Sequence, residues 1–318
     1  MPPIARRALL AAPLLALPGR GQAQGQPPLV LSTIAMIGEP ARRLGGAAIR
    51  AETLLGEGVD PHLYRPTRAD LARLLRADLV LHHGLGLEGR LREAIERAAA
   101  AGRAALAVGE SIPREMLIFP EGPNSPPDPH VWMDPALWGI AADAIAARIA
   151  ALRPAASASV NDNLAAFRAE AAALDAYARR VLGSIPPERR VLVTAHDAFG
   201  YLGRRYGLEV QGIEGISTES EAGVQRIRDL VELLVARRIP AVFAETSVAE
   251  RNVRALIEGA AARGHRVVLG GSLFSDAMGA PGTYEGTWIG MLDHNVTTIA
   301  RALGGEAPRR GFQGRLSA

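Results

Sequence analysis

From Ser157 to Leu182 the chain carries no glycine and no proline. Glycine loosens a helix and proline breaks one, so their shared absence over such a length favours one uninterrupted helix. Leu164, Phe167, Ala171, Leu174, Ala178 and Val181 recur at steps of three and four, which places an apolar stripe along one face. Gly183 and Pro186-Pro187 end the run. At 1.5 Å per residue the helix would extend roughly 40 Å, more than the width of a single small lobe. It is either a long surface helix of one domain or a strut crossing between two.

The flanking sequence repeats one pattern on both sides. Leu29 to Ile37 is a continuous apolar run of the kind a buried parallel strand uses. A helix is expected from Glu39 to Gly45, a strand from Ala48 to Leu55, and a helix from Thr67 to Arg76. Thr67 is the cap of that helix and Asp70 its third helical position, as in a capping box. Strands at Asp78–His83 and Ala104–Val108 enclose a helix over Leu87–Ala101, and a helix over Pro135–Leu152 follows. Beyond the long helix, strands are expected at Arg190–Ala195, Glu209–Ile213, Ala241–Ala244 and Arg266–Leu269, the last closed by a Gly270-Gly271 turn. Helices are expected at Phe199–Tyr206, Val224–Arg237, Ala249–Gly264 and Trp288–Leu303. Strand alternating with helix predicts an α/β fold: two small lobes, each with a roughly four-stranded parallel sheet flanked by helices, joined by one long helix. The expected divisions are 24–153, 154–184 and 185–318.

Hydrophobic residues make up 48% of the chain and charged residues 22%, which excludes a disordered protein. The formal charge is +3, but Arg6, Arg7 and Arg20 lie in residues 1–23, which read as a cleavable signal peptide. Arg6-Arg7 supply its positive start, Ala8 to Leu17 its apolar core, and Gly21-Gln22-Ala23 its cleavage site. Both general and twin-arginine export stay open. The mature chain is near neutral and shows no basic patch interleaved with aromatics, so nucleic acid is not an expected partner. There is no cysteine, which excludes disulfides, thiolate ligands and a lipidated cysteine at the cleavage point. An exported chain without such an anchor fits a bacterial periplasm. No later segment reads as long and apolar enough to cross a bilayer.

Two of the seven histidines sit in the same tripeptide, Asp60-Pro61-His62 and Asp128-Pro129-His130, far apart in sequence. The second lies in a loop stiffened by Pro120, Pro123, Pro126 and Pro127, where a side chain loses little freedom on binding. Ligands of parallel α/β sheets bind beyond the carboxyl ends of the strands. His62 follows the second expected strand, His130 the fourth, His196 the fifth and Asp276 the eighth. If each lobe turns those ends inward, two donors come from each side. Three imidazoles and a carboxylate suit zinc, manganese and other first-row divalent ions. Four protein donors leave no open position for a substrate water, which favours binding over catalysis.

Four segments carry a resemblance. Gly58-Val59-Asp60-Pro61-His62-Leu63-Tyr64-Arg65-Pro66-Thr67, Asp128-Pro129-His130-Val131-Trp132-Met133-Asp134, Thr194-Ala195-His196-Asp197-Ala198-Phe199-Gly200-Tyr201 and Gly271-Ser272-Leu273-Phe274-Ser275-Asp276-Ala277-Met278 resemble, in that order, ligand motifs of the zinc/manganese-binding receptors of bacterial ABC transporters. This is the TroA-like, helical-backbone metal receptor family. The likeness covers nearly the whole mature chain, including Gly84-Leu85-Gly86-Leu87-Glu88, Gly215-Ile216-Ser217-Thr218 and Met291 to Asn295. It implies two α/β lobes on one rigid helix and a metal in the cleft. It also implies His62, His130, His196 and Asp276 as ligands, Zn2+ or Mn2+ as cargo, and an ABC permease as partner of a monomeric periplasmic receptor that is not an enzyme. Members regarded as manganese-selective tend to have a carboxylate where His196 stands. Members dedicated to zinc often carry a His- and Asp-rich loop near the second ligand motif, yet residues 110–128 contain no histidine.

The remaining residues have plainer readings beside these. His196 can cap the following helix, and Asp276 can be a turn aspartate. Asp60 and Asp128 either orient their neighbouring histidines or make local turn bonds. His82 and His83 read as structural strand-end residues near the cleft, His265 as a solvated charge partner of a helix end, and His294 as packing. Glu245 reads as a salt-bridge partner within its lobe and not as a ligand. Two other functions stay in view. One is a secreted metallohydrolase using the same cluster, for which no His-Glu-x-x-His helix is present. The other is a surface adhesin, against which the missing lipid-anchor cysteine counts.

Overall fold

A computed structural model describes residues 26–317. The signal-peptide reading of residues 1–23 lies outside them. The N-terminal half runs β1 (Leu29–Ser32), α1 (Ala35–Gly45), β2 (Arg50–Thr53), α2 (Arg68–Arg76), β3 (Leu79–His82), α3 (Arg92–Ala100), β4 (Ala104–Ala107) and α4 (Pro135–Leu152). Its four strands form one parallel sheet in the order β2-β1-β3-β4. β1 lies inside the sheet, and all four of its residues are buried. Thr67 and Asp70 cap α2 reciprocally: Asp70 N donates to Thr67 Oγ1 at 3.2 Å, and Thr67 N donates to Asp70 Oδ2 at 2.8 Å.

Two expectations shift here. The apolar run from Leu29 to Ile37 is a strand only to Ser32; its second part begins α1, with Pro40 inside the helix. A run buried in either conformation cannot reveal where strand gives way to helix. α3 starts at Arg92 and not at Leu87, because Gly84, Leu85 and Gly86 all take positive φ and form a tight turn. The buried Glu88 holds that turn, accepting from His83 N at 2.6 Å, Gly84 N at 3.0 Å and Thr33 Oγ1 at 2.7 Å.

The glycine-free stretch is α5 (Ser157–Gly183), 27 residues long. Toward its start Asn163 Nδ2 donates to Leu44 O at 3.0 Å, and at its middle Glu170 pairs with Arg43 at 2.6 Å, both partners lying on the last turn of α1. Toward its end, Asp175 accepts from Arg205, and the Tyr177 hydroxyl shares a hydrogen bond with Thr297 at 2.7 Å. Phe167, Ala171, Leu174, Ala178 and Val181 of the expected stripe are buried. The helix is therefore a strut with one end in each half. α4 packs on α1 and α5 and buries Leu137, Trp138, Ile145 and Ile149 among others. By length and composition it is apolar enough to cross a membrane, contrary to the sequence expectation; its place here is between helices of the core.

The C-terminal half runs β5 (Val191–Thr194), α6 (Gly200–Tyr206), β6 (Glu209–Gly212), α7 (Val224–Ala236), β7 (Ala241–Glu245), α8 (Arg251–Ala262), β8 (Val268–Leu273) and α9 (Trp288–Ala302). Its four strands are parallel within two pairs, β5-β6 and β7-β8. β8 does not end at Gly270-Gly271. It continues to Leu273 through a bulge, with Val242 opposite Leu269 and Phe243 opposite Gly271. Gly270 is the extra residue, and a Cβ there would lie 2.7 Å from the Phe243 ring. The two glycines thus extend the strand toward the cleft rather than close it.

Candidate metal centre

His62, His130, His196 and Asp276 converge, each from a segment following a strand. All four are buried, and one donor atom from each lies within 4.8 Å of the others. Nε2 of His130 is 3.4 Å from Nε2 of His62 and 3.4 Å from Nε2 of His196. The Asp276 carboxylate stands 3.2 Å from His130 Nε2, 3.1 Å from His196 Nε2 and 3.7 Å from His62 Nε2. An ion held tetrahedrally by bonds of about 2.05 Å sets its donors about 3.3 Å apart, the tetrahedral edge being 1.63 times the bond. The five separations, three of them taken to one or the other Asp276 oxygen, scatter around that length. The Asp276 carboxylate oxygens face no described donor other than the three ring nitrogens of the cluster itself. Buried carboxylate oxygens are rarely left so, and three imidazole nitrogens facing them supply a cradle for a cation.

The backbone and the outer side chains fix this arrangement. Asp128 Oδ1 accepts from both the backbone N–H and the ring Nδ1 of His130, at 2.9 and 2.7 Å. Glu245, at the end of β7, does the same for His196, taking its N–H at 2.8 Å and its Nδ1 at 2.5 Å. Each ring therefore turns Nε2 toward the centre. Asp134 caps α4 through Ala136 N at 2.8 Å, with Pro135 in the first turn, which fixes where the His130 segment ends. Trp132 Nε1 donates to Ser275 O at 2.9 Å, so the His130 segment holds the Asp276 segment directly. Asp60 contacts His62 through its backbone N–H at 2.8 Å, the local turn bond rather than a bond to the ring.

The electrostatics divide the four. Burial pulls His130 down, but the Asp276 and Asp128 carboxylates outweigh it and hold the ring up at about 9. Burial opposes charge at His196 too, yet Glu245 and Asp276 keep it well above the ordinary histidine value. Burial lowers His62, and Asp276 only partly offsets that. Asp276 resists burial because His196 and His130 hold it well below the usual carboxylate range. Without metal the carboxylate is thus held anionic and two of the rings are held toward their charged form.

A family profile described as zinc-uptake complex component A, periplasmic (ZnuA), matches residues 30–302. The chain belongs to the ZnuA family. The zinc-binding protein TroA of Treponema pallidum is 43% identical over 276 residues, 87% of this chain and 89% of that protein. The manganese-binding lipoprotein MntA of Bacillus subtilis is 41% identical over 283 residues, 89% of this chain and 92% of that protein. The solved structure of periplasmic TroA from Treponema pallidum superposes with a TM-score of 0.84 at 43% identity, covering 87% of this chain and 99% of that one. Both relatives are named for binding a metal, neither for a reaction.

In this ZnuA-family chain the other histidines stand apart from the cluster. His83 is fully buried; its Nε2 bonds Pro129 O at 2.6 Å, its ring sits edgewise on Trp132 and stacked with Trp138, and burial pushes it down to about 3. It is structural, as its sequence position suggested, and it props the segment before His130. His294 bonds Ser272 O and packs on Phe274. His265 is half-buried, and its ring bonds Ile239 O at 2.8 Å. Glu245 was legible as a salt-bridge partner, but its partner is a candidate ligand 49 residues away, a pairing no local pattern announces.

Proposed function

We propose that this chain is the periplasmic receptor of an ABC importer, a binding protein and not an enzyme. It captures one Zn2+ or Mn2+ ion with His62, His130, His196 and Asp276 and hands it to a membrane permease. The carrying observation is the set of donor separations, 3.1 to 3.7 Å, at the edge length of a tetrahedron around a small divalent ion. Zinc and manganese enter because TroA is described as zinc-binding and MntA as manganese-binding. Three imidazoles and one carboxylate hold zinc more tightly than manganese in the general affinity order of divalent ions. Residues 24–153 and 185–318 act as the two lobes, 154–184 as the strut, and the receptor works as a monomer exported by its first 23 residues.

The metallohydrolase alternative finds no support in the pocket. All four donors are protein side chains, and Glu245, the nearest outer carboxylate to His196, is committed to that ring. The test is metal analysis and calorimetry of the purified chain. One ion per chain, lost in a His62→Ala/His130→Ala double variant, is the expected result. No stoichiometric divalent ion in the wild type, or full retention in the double variant, would refute it.

A further inference from the structure

Three of the four candidate ligands are braced from outside the cluster; His62 is not. Asp128 holds the ring of His130, Glu245 that of His196, and Trp132 the carbonyl next to Asp276. Among the described residues, His62 has a hydrogen bond to its backbone N–H, and its ring approaches other members of the cluster, His130 at 3.4 Å and Asp276 at 3.7 Å. Its position therefore depends on Asp60. That carboxylate is itself held from the other lobe: Oδ1 accepts His62 N–H at 2.8 Å, and Oδ2 accepts the Thr218 hydroxyl at 2.5 Å, across 158 residues of sequence. Thr218 is buried, although it belongs to a segment without helix or strand. A cavity of about 440 Å3 opens beside it, lined by His62, Leu85, Pro127 and Pro129 from one lobe and by Ile216 and Ser217 from the other. His62 is the only candidate ligand on that cavity wall.

We propose that Thr218 is a positioning residue whose hydroxyl, through Asp60, latches His62 into the cluster. Breaking that one bond frees His62 first and opens the exit of the ion through the cavity. The inference rests on the receptor reading above and names the ligand that moves. A hydrogen bond to a half-buried carboxylate is worth enough to slow a release step, and changes in affinity appear mainly in dissociation.

The experiment measures zinc release from the full chain into excess chelator by stopped flow, beside zinc stoichiometry and metal-free melting temperature. Thr218→Val keeps the shape and removes the hydroxyl. It should bind one zinc, stay folded without metal, and release zinc at least about tenfold faster. Thr218→Ser should return the rate to within about twofold of wild type, because the hydroxyl is restored. Release from Thr218→Val at the wild-type rate would overturn the latch, as would a lowered metal-free melting temperature that Thr218→Ser does not correct. A His62→Ala control separates the readings. If it weakens zinc binding while Thr218→Val does nothing, the receptor stands and the latch falls. If the wild type binds no zinc, both fall.

Discussion

At the base of the cleft two indole N–H groups donate from one lobe to the other, Trp132 to Ser275 O at 2.9 Å and Trp288 to Trp132 O at 3.0 Å, while Glu39 accepts the backbone N–H of Trp288 at 3.2 Å. Both indoles are fully buried. At the mouth the lobes meet through the Thr218–Asp60 bond and the Arg90–Glu219 ion pair at 3.5 Å, whose side chains are largely exposed. Desolvated, geometrically fixed bonds resist opening; a solvated ion pair hardly does. The same division runs through the candidate ligands. The braced rings, His130 and His196, are held charged, and His62 is held toward its neutral form. Stiffness and charge are thus gathered on the two rings that do not line the cavity.

The largest test of that contrast is pH. His130 and His196 are raised, so near neutral pH both carry protons without metal, and each proton must leave before its nitrogen can bind an ion. Acidification therefore opposes binding, and affinity rises with pH until those rings lose their protons unaided. Apparent zinc affinity should fall up to about a hundredfold per unit of acidification below pH 8, with about two protons released per ion in buffers of differing ionisation enthalpy. Two imidazolium charges leave as one dication enters, so the pocket's net charge hardly changes. Release of no proton would show that the two rings are not held charged.

Next in size is the base itself. Trp132→Ala should destabilise the chain by about 3–5 kcal/mol in denaturant unfolding, from the lost core volume and the severed bond to Ser275. A loss under about 1 kcal/mol would mean that the base carries no more than the mouth. A smaller effect is expected one layer out from the donors. Glu245→Ala should weaken zinc binding about 10- to 100-fold by calorimetry, because His196 loses the carboxylate that turns its Nε2 inward. An unchanged affinity would show that packing alone aims the ring. Smallest is Arg90→Ala, which should shift stability by no more than about 1 kcal/mol and vanish in high salt. A larger shift would move strength from the base to the mouth.

What the sequence disclosed follows from how far each signal reaches. The long helix and the Thr67–Asp70 cap rest on contacts three or four residues apart, and both were legible, though whether the helix was a strut was not. The division at Ser32 within a run buried throughout was not, because apolarity is the same on both sides of it. Gly270-Gly271 looked like a turn; only the Phe243 ring pressing on Gly270 from the neighbouring strand explains why the strand continues. The four converging side chains could be named from their places after strands and from the resemblance. Their supports mostly could not, since Glu245 and Thr218 act across 49 and 158 residues on partners that sequence spacing does not mark. Asp128 was the exception, two residues from the ring it holds.

The strut also acts as a ruler. Each residue of an α-helix adds about 1.5 Å and turns the chain by about 100°. One residue inserted into α5 would swing everything beyond it by that angle and carry the His196 and Asp276 side of the cleft away from the His62 and His130 side. Seven inserted residues would nearly restore the phase, to within about 20°, yet would part the lobes by about 10 Å. The count of residues between Ser157 and Gly183 is therefore as much a component of the pocket as any side chain in it.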